Sequence, residues 1–248
     1  KILLISYNRI GDTILSTGLI NYLLREYENA SFSIITSSIS ASIYQDMPRL
    51  DKLIIVNKQK YSIHWLKIWN KVRKSRWDLV IDLRSSSLSY FISTKKKMIF
   101  KGNEKDHKLL QLQSFIGSPK ELNPTIWAEE KKYININEEK NIKNQYICIA
   151  PISNSVVKDW PISRYLSLFE NDLFKNYDII LLGATSDKEE LENINQLIEI
   201  SNEPVNNLIN NANMIETFFI LKKAALFLGS DSSNMHLAVA ANIPTIGL

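Results

Sequence analysis

The sequence predicts an α/β protein made of two Rossmann-like domains, residues 1–142 and 143–248. Three observations carry this. Short apolar runs of strand length alternate with longer stretches of helical apolar period along most of the 248 residues. Most of the apolar runs stop at a turn of Gly, Asp, Ser or Arg, the end of a parallel strand where open α/β sheets bind ligands. A polar, irregular stretch from Gly117 to Asn144 separates two halves of opposite charge. Residues 1–143 hold 24 Lys/Arg and 14 Asp/Glu, a net of +10, and residues 144–248 hold 6 and 12, a net of −6. Such asymmetry points to two domains with different partners, the basic one suited to a polyanion or an anionic membrane surface.

Taken in order, Ile2 to Ser6 reads as a buried strand and Tyr7 to Asp12 as the turn after it. A helix follows from Thr13 to about Tyr27, with Ile14, Leu15, Leu19, Ile20, Leu23 and Leu24 on its apolar face. Phe32–Thr36 and Lys52–Val56 are the next strands. Ile63–Arg76 is an amphipathic helix whose polar positions (Lys67, Lys71, Arg73, Lys74, Arg76) are basic. Asp78–Leu83 is a fourth strand ending in Arg84 and three serines, Lys95–Phe100 leads into a fifth, and His107–Ile116 is a short helix. Gly117-Ser118-Pro119 breaks the pattern, and alternation resumes at the strand Tyr146–Ala150.

In the second half Pro151–Trp160 is a loop, and Pro161 opens a helix to about Phe174, where proline suits the first helical position. Tyr177–Leu182 is a strand, Asp187–Ile200 a helix, Val205–Leu208 a short strand and Ala212–Lys223 a helix. The last segment, AALFLGSDSSNMHLAVAANIPTIGL, reads as strand, polar turn, helix and strand, with Asn242 and Pro244 ending the helix. There is no short-period repeat and no low-complexity region.

Composition narrows the function classes. At 45% apolar and 23% charged residues, the chain is of ordinary globular composition. No apolar run approaches the ~20 residues that span a bilayer. The opening KILLISYNRIGD reads as a strand entering a turn, not as a leader. The single Cys148 sits in an apolar run; it excludes an internal disulfide and fits a reducing cytoplasm. One cysteine and three scattered histidines argue against a structural zinc site. Trp65, Trp69 and Trp77 stand at helical spacing or at a helix end and read as core, so the basic half lacks the aromatic–basic interleaving of an RNA binder.

The candidate residues cluster after strands. Ser232 and Ser233 offer hydroxyl donors to an anion at a helix amino end, and Asp231 suits a sugar or ribose hydroxyl; alternatively Asp231 or Ser232 caps the helix. Asp12 either caps its helix or takes a proton from a substrate hydroxyl at a cleft edge. Arg9 and Arg84 sit in strand-end turns and can hold an acceptor phosphate or carboxylate, or stand as solvated charges. Lys158 is a point charge for a diphosphate or a solvated lysine, and Trp160-Pro161 reads as a packing corner. Asp187 accepts from ribose hydroxyls or caps the next helix. His236 lies one turn into the last helix, where spacing alone favours a satisfied, partly buried imidazole. No GxGxxG, GxxxxGK[ST] or HExxH motif occurs.

Five stretches, RIGDTILSTGLI, WDLVIDLRSS, SVVKDWPISRYLSL, LLGATSDKEE and LGSDSSNMHLAVAANIPTIGL, together resemble the ADP-heptose:lipopolysaccharide heptosyltransferases, glycosyltransferase family 9, in the family's order and over nearly the whole chain. The resemblance implies the GT-B fold and inverting transfer of a heptose or related sugar from a nucleotide-activated donor, ADP-heptose by the family's habit, to a lipopolysaccharide core acceptor. By it, Asp12 matches the catalytic aspartate and Lys158 the lysine that contacts the donor diphosphate. Asp187 falls near the acidic position facing the ribose, and Asp231, Ser232 and His236 match the turn that holds sugar and phosphates. Ser232 keeps the hydroxyl often supplied by threonine. Ser233 stands where glycine is common.

The family pattern continues past Leu248 with a further strand and helix, so the C-terminal domain is expected to be truncated. The resemblance further implies no metal and no cofactor, in keeping with the missing DxD motif. The implied partners are a nucleotide sugar, an anionic phosphorylated glycolipid contacted by Arg9 and Arg84, and the cytoplasmic membrane surface, with no nucleic acid. The implied place is the cytoplasm, peripheral to the inner membrane. The alternative is a nucleotide-sugar-binding module without transfer activity, and Asp12 is the residue that separates the two.

Overall fold

The computed structural model describes residues 1–57, 64–103, 105–153, 160–169, 171, 174, 176–201 and 204–248. The chain divides into two compact units, Lys1–Ala128 and Glu129–Leu248, each with its own five-stranded sheet.

In the first unit the strands are β1 (Ile2–Ile5), β2 (Phe32–Ser37), β3 (Leu50–Val56), β4 (Trp77–Asp82) and β5 (Thr94–Ile99). They pair in parallel in the order β3-β2-β1-β4-β5. The helices are α1 (Ile10–Glu26), α2 (His64–Val72) and α3 (Lys108–Ile116). The central strand β1 is buried at all four positions, as a strand covered on both faces must be. Ile68 and Val72 of α2 pack with Leu3, Ile5, Val80 and Leu88 in one core cluster, and Trp65 and Trp69 flank it. α1 is buried well beyond one stripe: Thr13, Ser16 and Thr17 are inside. Their hydroxyls are satisfied by carbonyls one turn back, Thr13 by Arg9, Ser16 by Thr13 and Thr17 by Ile14.

Gly18 of α1 lies beneath the backbone of Leu122 and Asn123; a Cβ there would stand 3.0 Å from Asn123 C and O. That close approach lets Thr125 N donate to Thr17 Oγ1 at 2.8 Å. Gly117 ends α3 in the left-handed conformation, φ 73°, with its N–H and that of Ser118 both donating to Gln113 O.

The second unit repeats the plan. Its strands β6 (Tyr146–Ala150), β7 (Asp178–Leu181), β8 (Val205–Asn207), β9 (Leu226–Gly229) and β10 (Thr245–Gly247) pair in the order β10-β9-β6-β7-β8, again all parallel. Read from the other edge, this is the order of the first sheet. The helices are α4 (Ile136–Glu139), α5 (Ile162–Phe169), α6 (Lys188–Ile200), α7 (Met214–Lys223) and α8 (Ser233–Ala240). Trp160 packs edge-on against Tyr165 at 5.1 Å beside the core cluster of Ile149, Phe169 and Leu181, the corner expected of Trp160-Pro161.

The division at Ala128/Glu129 falls earlier than residue 142, where the polar stretch places it. The intervening segment belongs to the second unit. Its 3-10 turn Glu130–Tyr133 and α4 pack on α7: Tyr133 stacks on Phe219 at 4.6 Å, Lys222 pairs with Glu130 at 2.9 Å and Lys140 with Glu216 at 3.3 Å. These contacts use alternating charges that look like a linker in sequence. Residues 129–143 carry four cations and four anions, so the two units keep net charges of +10 and −6.

Candidate active site

Both sheets have the strand order of a doubly wound fold, and such a sheet binds ligands at the carboxyl ends of the strands where the winding reverses. In the first unit that point lies between β1 and β4, and in the second between β6 and β9.

At the first switch point β1 runs into Ser6, Tyr7, Asn8 and Arg9. α1 begins at Ile10, three residues before the sequence pattern suggests, with exposed Arg9 as its extended N-cap and no capping side chain. The capping reading of Asp12 therefore fails: Asp12 is in the first helical turn, a position where the dipole favours a carboxylate. Its Oδ1 lies 3.8 Å from Lys108 Nζ, the side chains being 28% and 29% exposed. Lys108 opens α3, and its ammonium sits 5.1 Å over the Tyr7 ring and 5.5 Å over that of Phe100. The carboxylate is thus half-sheltered, open enough to meet a substrate and held by a cation whose other side is aromatic.

Tyr7 forms the floor. Its hydroxyl is buried without a hydrogen-bond partner. Burial first, and then the negative charges of Asp12 and Asp82, push its ionisation well above the ordinary tyrosine range, so it stays neutral.

On the neighbouring strand Asp82 ends β4 fully buried. It accepts from Arg84 N at 2.9 Å, Ser86 N at 2.8 Å and Ser86 Oγ at 2.7 Å. This carboxylate builds the turn, which also holds Ser85 at φ 52°. The turn lays the Arg84 guanidinium 5.2 Å over the Trp65 ring, so Arg84 is half-buried rather than a solvated loop charge. Burial pulls its pKa down and the nearby Asp82 charge opposes that.

At the second switch point Gly229 pairs with Ala150 across β6 and β9. A Cβ on Gly229 would stand 2.8 Å from Ala150 O, closer than side-chain carbons approach. Behind it Ser230 is fully buried, and its Oγ has no partner. Ser232 is the N-cap of α8 by position, yet its side chain makes no capping bond and its Oγ is likewise buried and unpartnered. Ser233 opens the helix. His236 Nε2 lies 3.7 Å from Asp231 Oδ1, with the imidazole 17% and the carboxylate 55% exposed. Ser232 therefore does not cap the helix with its side chain. Two buried hydroxyls and the first N–H groups of α8 are grouped at the positive end of a helix, which is the chemistry of an anion site.

Asp187 is the N-cap of α6: Oδ1 accepts from Glu189 N at 2.9 Å and Glu190 N at 3.4 Å. It follows β7, one strand beyond β6. Its capping reading holds, and the ribose reading rests on the family resemblance alone. Lys158 lies outside the described residues.

With this geometry in hand, similarity decides the family. The profile of glycosyltransferase family 9 (heptosyltransferase) matches residues 104–248, more than half of the chain. The chain belongs to that family. It is 24% identical over 262 residues to lipooligosaccharide heptosyltransferase 2 of Campylobacter jejuni serotype O:2, covering 96% of this chain and 77% of that protein. The Escherichia coli ADP-heptose lps heptosyltransferase II superposes with a TM-score of 0.79 at 18% identity, over all of this chain and 84% of that one. A family 9 glycosyltransferase of Veillonella parvula gives 0.83 at 16%, over all of this chain and 80% of that one. Two parallel sheets with flanking helices are thus the GT-B architecture of those heptosyltransferases.

The structure gathers most of the sequence-predicted site residues at the two switch points. Arg9 and Asp12 share one turn, with Arg84 in the turn after the adjacent strand β4; Asp231, Ser232, Ser233 and His236 share another. Lys108 and Tyr7 are absent from the sequence-derived set because 96 residues separate Lys108 from Asp12 and nothing local signals the pair. Ser230 had a local signal, since it directly follows the strand-ending Gly229 in the turn at the carboxyl end of a parallel strand, where open α/β sheets bind ligands. Among the described residues no group of three or more His, Cys, Asp or Glu side chains is disposed to hold a metal ion.

Proposed function

We propose that the protein is an inverting heptosyltransferase that moves a heptose from ADP-heptose to a phosphorylated lipopolysaccharide-type acceptor. The names of the Campylobacter and Escherichia coli relatives support the donor and acceptor classes. The turn 230–236, with its two orphaned hydroxyls and helix end, holds the donor phosphates together with Lys158, in place of a metal. Asp231, His236 and Asp187 contact the sugar and ribose. Arg9 and Arg84 hold acceptor phosphate. Asp12 takes the proton of the acceptor hydroxyl as its oxygen bonds to the anomeric carbon. The bond from that carbon to the ADP oxygen breaks on the opposite face, and its electron pair leaves with the diphosphate. Positive ends fixed around that diphosphate stabilise the charge it gains. Lys108 holds the Asp12 carboxylate in place. The work takes place at the cytoplasmic face of the membrane, reached peripherally; no described helix is long and apolar enough to cross it.

The observation that carries the reading is Asp12: at a switch point, uninvolved in capping and half-sheltered beside Lys108. Asp12→Asn should lower kcat by about 10²–10⁴ while ADP affinity by calorimetry stays within about twofold. Unchanged turnover would remove Asp12 from the chemistry, and ADP binding with no turnover in the unaltered protein would leave a binding module.

A further inference from the structure

One face of the first unit is unaccounted for by the transfer site. α2 buries Ile68 and Val72 and turns outward Leu66, Lys67 and Lys71, and exposed Lys74 follows in the turn after the helix. Beside it, the 3-10 turn Ser87–Phe91 is tied to α2 by Trp69 Nε1 donating to Phe91 O at 2.9 Å. That turn projects Tyr90 and Phe91, 64% and 72% exposed, and Leu66, one turn before Trp69 on α2, is 67% exposed. Arg73 lies 4.6 Å over the Trp69 ring, and Lys97 of β5 lies 6.0 Å from the Tyr90 ring. Between residues 64 and 101 there are ten Lys and Arg and only two acids. One of these, Asp82, is buried, and the other, Asp78, is bound by Lys95 at 2.7 Å. Three large apolar tips therefore stand in a field of cations with few acids to offset them.

We infer that this face, α2 with the turn 87–91, docks the protein on an anionic lipid bilayer. The chemistry selects that occupant. Apolar tips enter the acyl boundary while lysines meet anionic headgroups, their stems spanning the interface. A nucleic acid would want a row of open ring faces for stacking, but the rings of Trp65, Trp69 and Tyr90 carry Arg84, Arg73 and Lys97, Leu66 offers none, and Phe91 alone is left. An isologous second copy would set the lysines against one another. The inference deepens the proposed reading by giving the glycolipid-bound acceptor a bilayer on which the enzyme sits, and it takes its biological sense from that reading.

The test is co-sedimentation with vesicles of phosphatidylglycerol in phosphatidylcholine against vesicles of phosphatidylcholine alone. Transfer to a delipidated acceptor is measured in parallel. The unaltered protein should partition onto the anionic vesicles, and less so as salt rises. K67A/K71A/K74A should weaken partitioning by about fivefold per lysine, roughly a hundredfold in all. L66S/Y90S/F91S should abolish whatever binding survives high salt. Both variants should keep the unaltered melting temperature and full transfer to the delipidated acceptor. The inference is overturned if the unaltered protein ignores anionic vesicles, if either variant binds them as the parent does, or if single-stranded RNA displaces the vesicles and its own binding needs the lysines but not the apolar tips. Vesicle binding by a protein that transfers nothing would instead sink the transferase reading and leave this one standing.

Discussion

Ser230 and Ser232 carry hydroxyls that the fold does not use. A buried hydroxyl without a partner costs stability, whereas one that donates to a ligand phosphate adds affinity. Ser230→Ala and Ser232→Ala should therefore leave the melting temperature equal or higher while each weakens ADP binding by about three- to tenfold, read by calorimetry. A drop in stability with unchanged affinity would return these serines to the scaffold. Asp82 is the counterexample: it accepts three bonds from its own turn and, fully buried, is closed to substrate. Two buried phenols make a separate prediction. Tyr44, hydrogen-bonded to Ser6 at 2.6 Å, is pushed up to about 12 by burial, and Tyr7 is pushed further. An unfolded tyrosine titrates near 10. Because the folded values are raised, the neutral rings stabilise the fold fully below that pH, and the contribution is lost as pH rises from about 10 through 12. Urea unfolding should show stability falling across that window, and Tyr7→Phe, which also removes an orphaned hydroxyl, should flatten the fall without weakening the protein at neutral pH.

At the scale of elements, α6 separates two roles for one carboxylate. Asp187→Asn keeps an equally good N-cap and removes the charge, while Asp187→Ala removes the cap. If the residue only caps, Asn should be neutral for stability and donor affinity, and Ala should cost about 1 kcal/mol in unfolding. If it also meets the ribose, both should weaken ADP binding. Asp187 was legible because a capping residue and its helix are neighbours in sequence. So were the strands: their apolar runs end within about two residues of the strands as folded. The start of α1 was not, because Asn8 to Asp12 is polar and reads as turn, although Ile10 stands one turn before Ile14 and extends the helical period. Residues 129–139 were not, because their partners, Phe219 and Lys222 on α7, lie some eighty to ninety residues on. The same distance hid Lys108. What sequence pattern reports is local period and strand-end chemistry; what it misses is which distant side chain completes a charge or a stack.

At the scale of the molecule, two sheets of one topology each close around their own cluster, Leu3, Ile5 and Val80 in one and Ile149, Leu181 and Leu228 in the other. Units of this size with separate cores are each large enough to unfold cooperatively, and a chain of two such units departs from a single two-state transition. Calorimetry should resolve two heat-absorption components. Gly229→Ala assigns them. The added Cβ meets Ala150 O at 2.8 Å and Ala150 Cβ at 3.0 Å, both fixed by the β6–β9 ladder, so the strands must part. Overpacking of that kind costs about 1–3 kcal/mol. The component belonging to Glu129–Leu248 should move down by roughly 5 °C or more, while the other stays where it was. ADP should raise the lowered component, because the ligand site proposed on the turn after β9 belongs to the same unit. If both components fell together, or if one transition held throughout, the two units would be a single folding entity, and donor binding would stabilise the whole chain instead of one half.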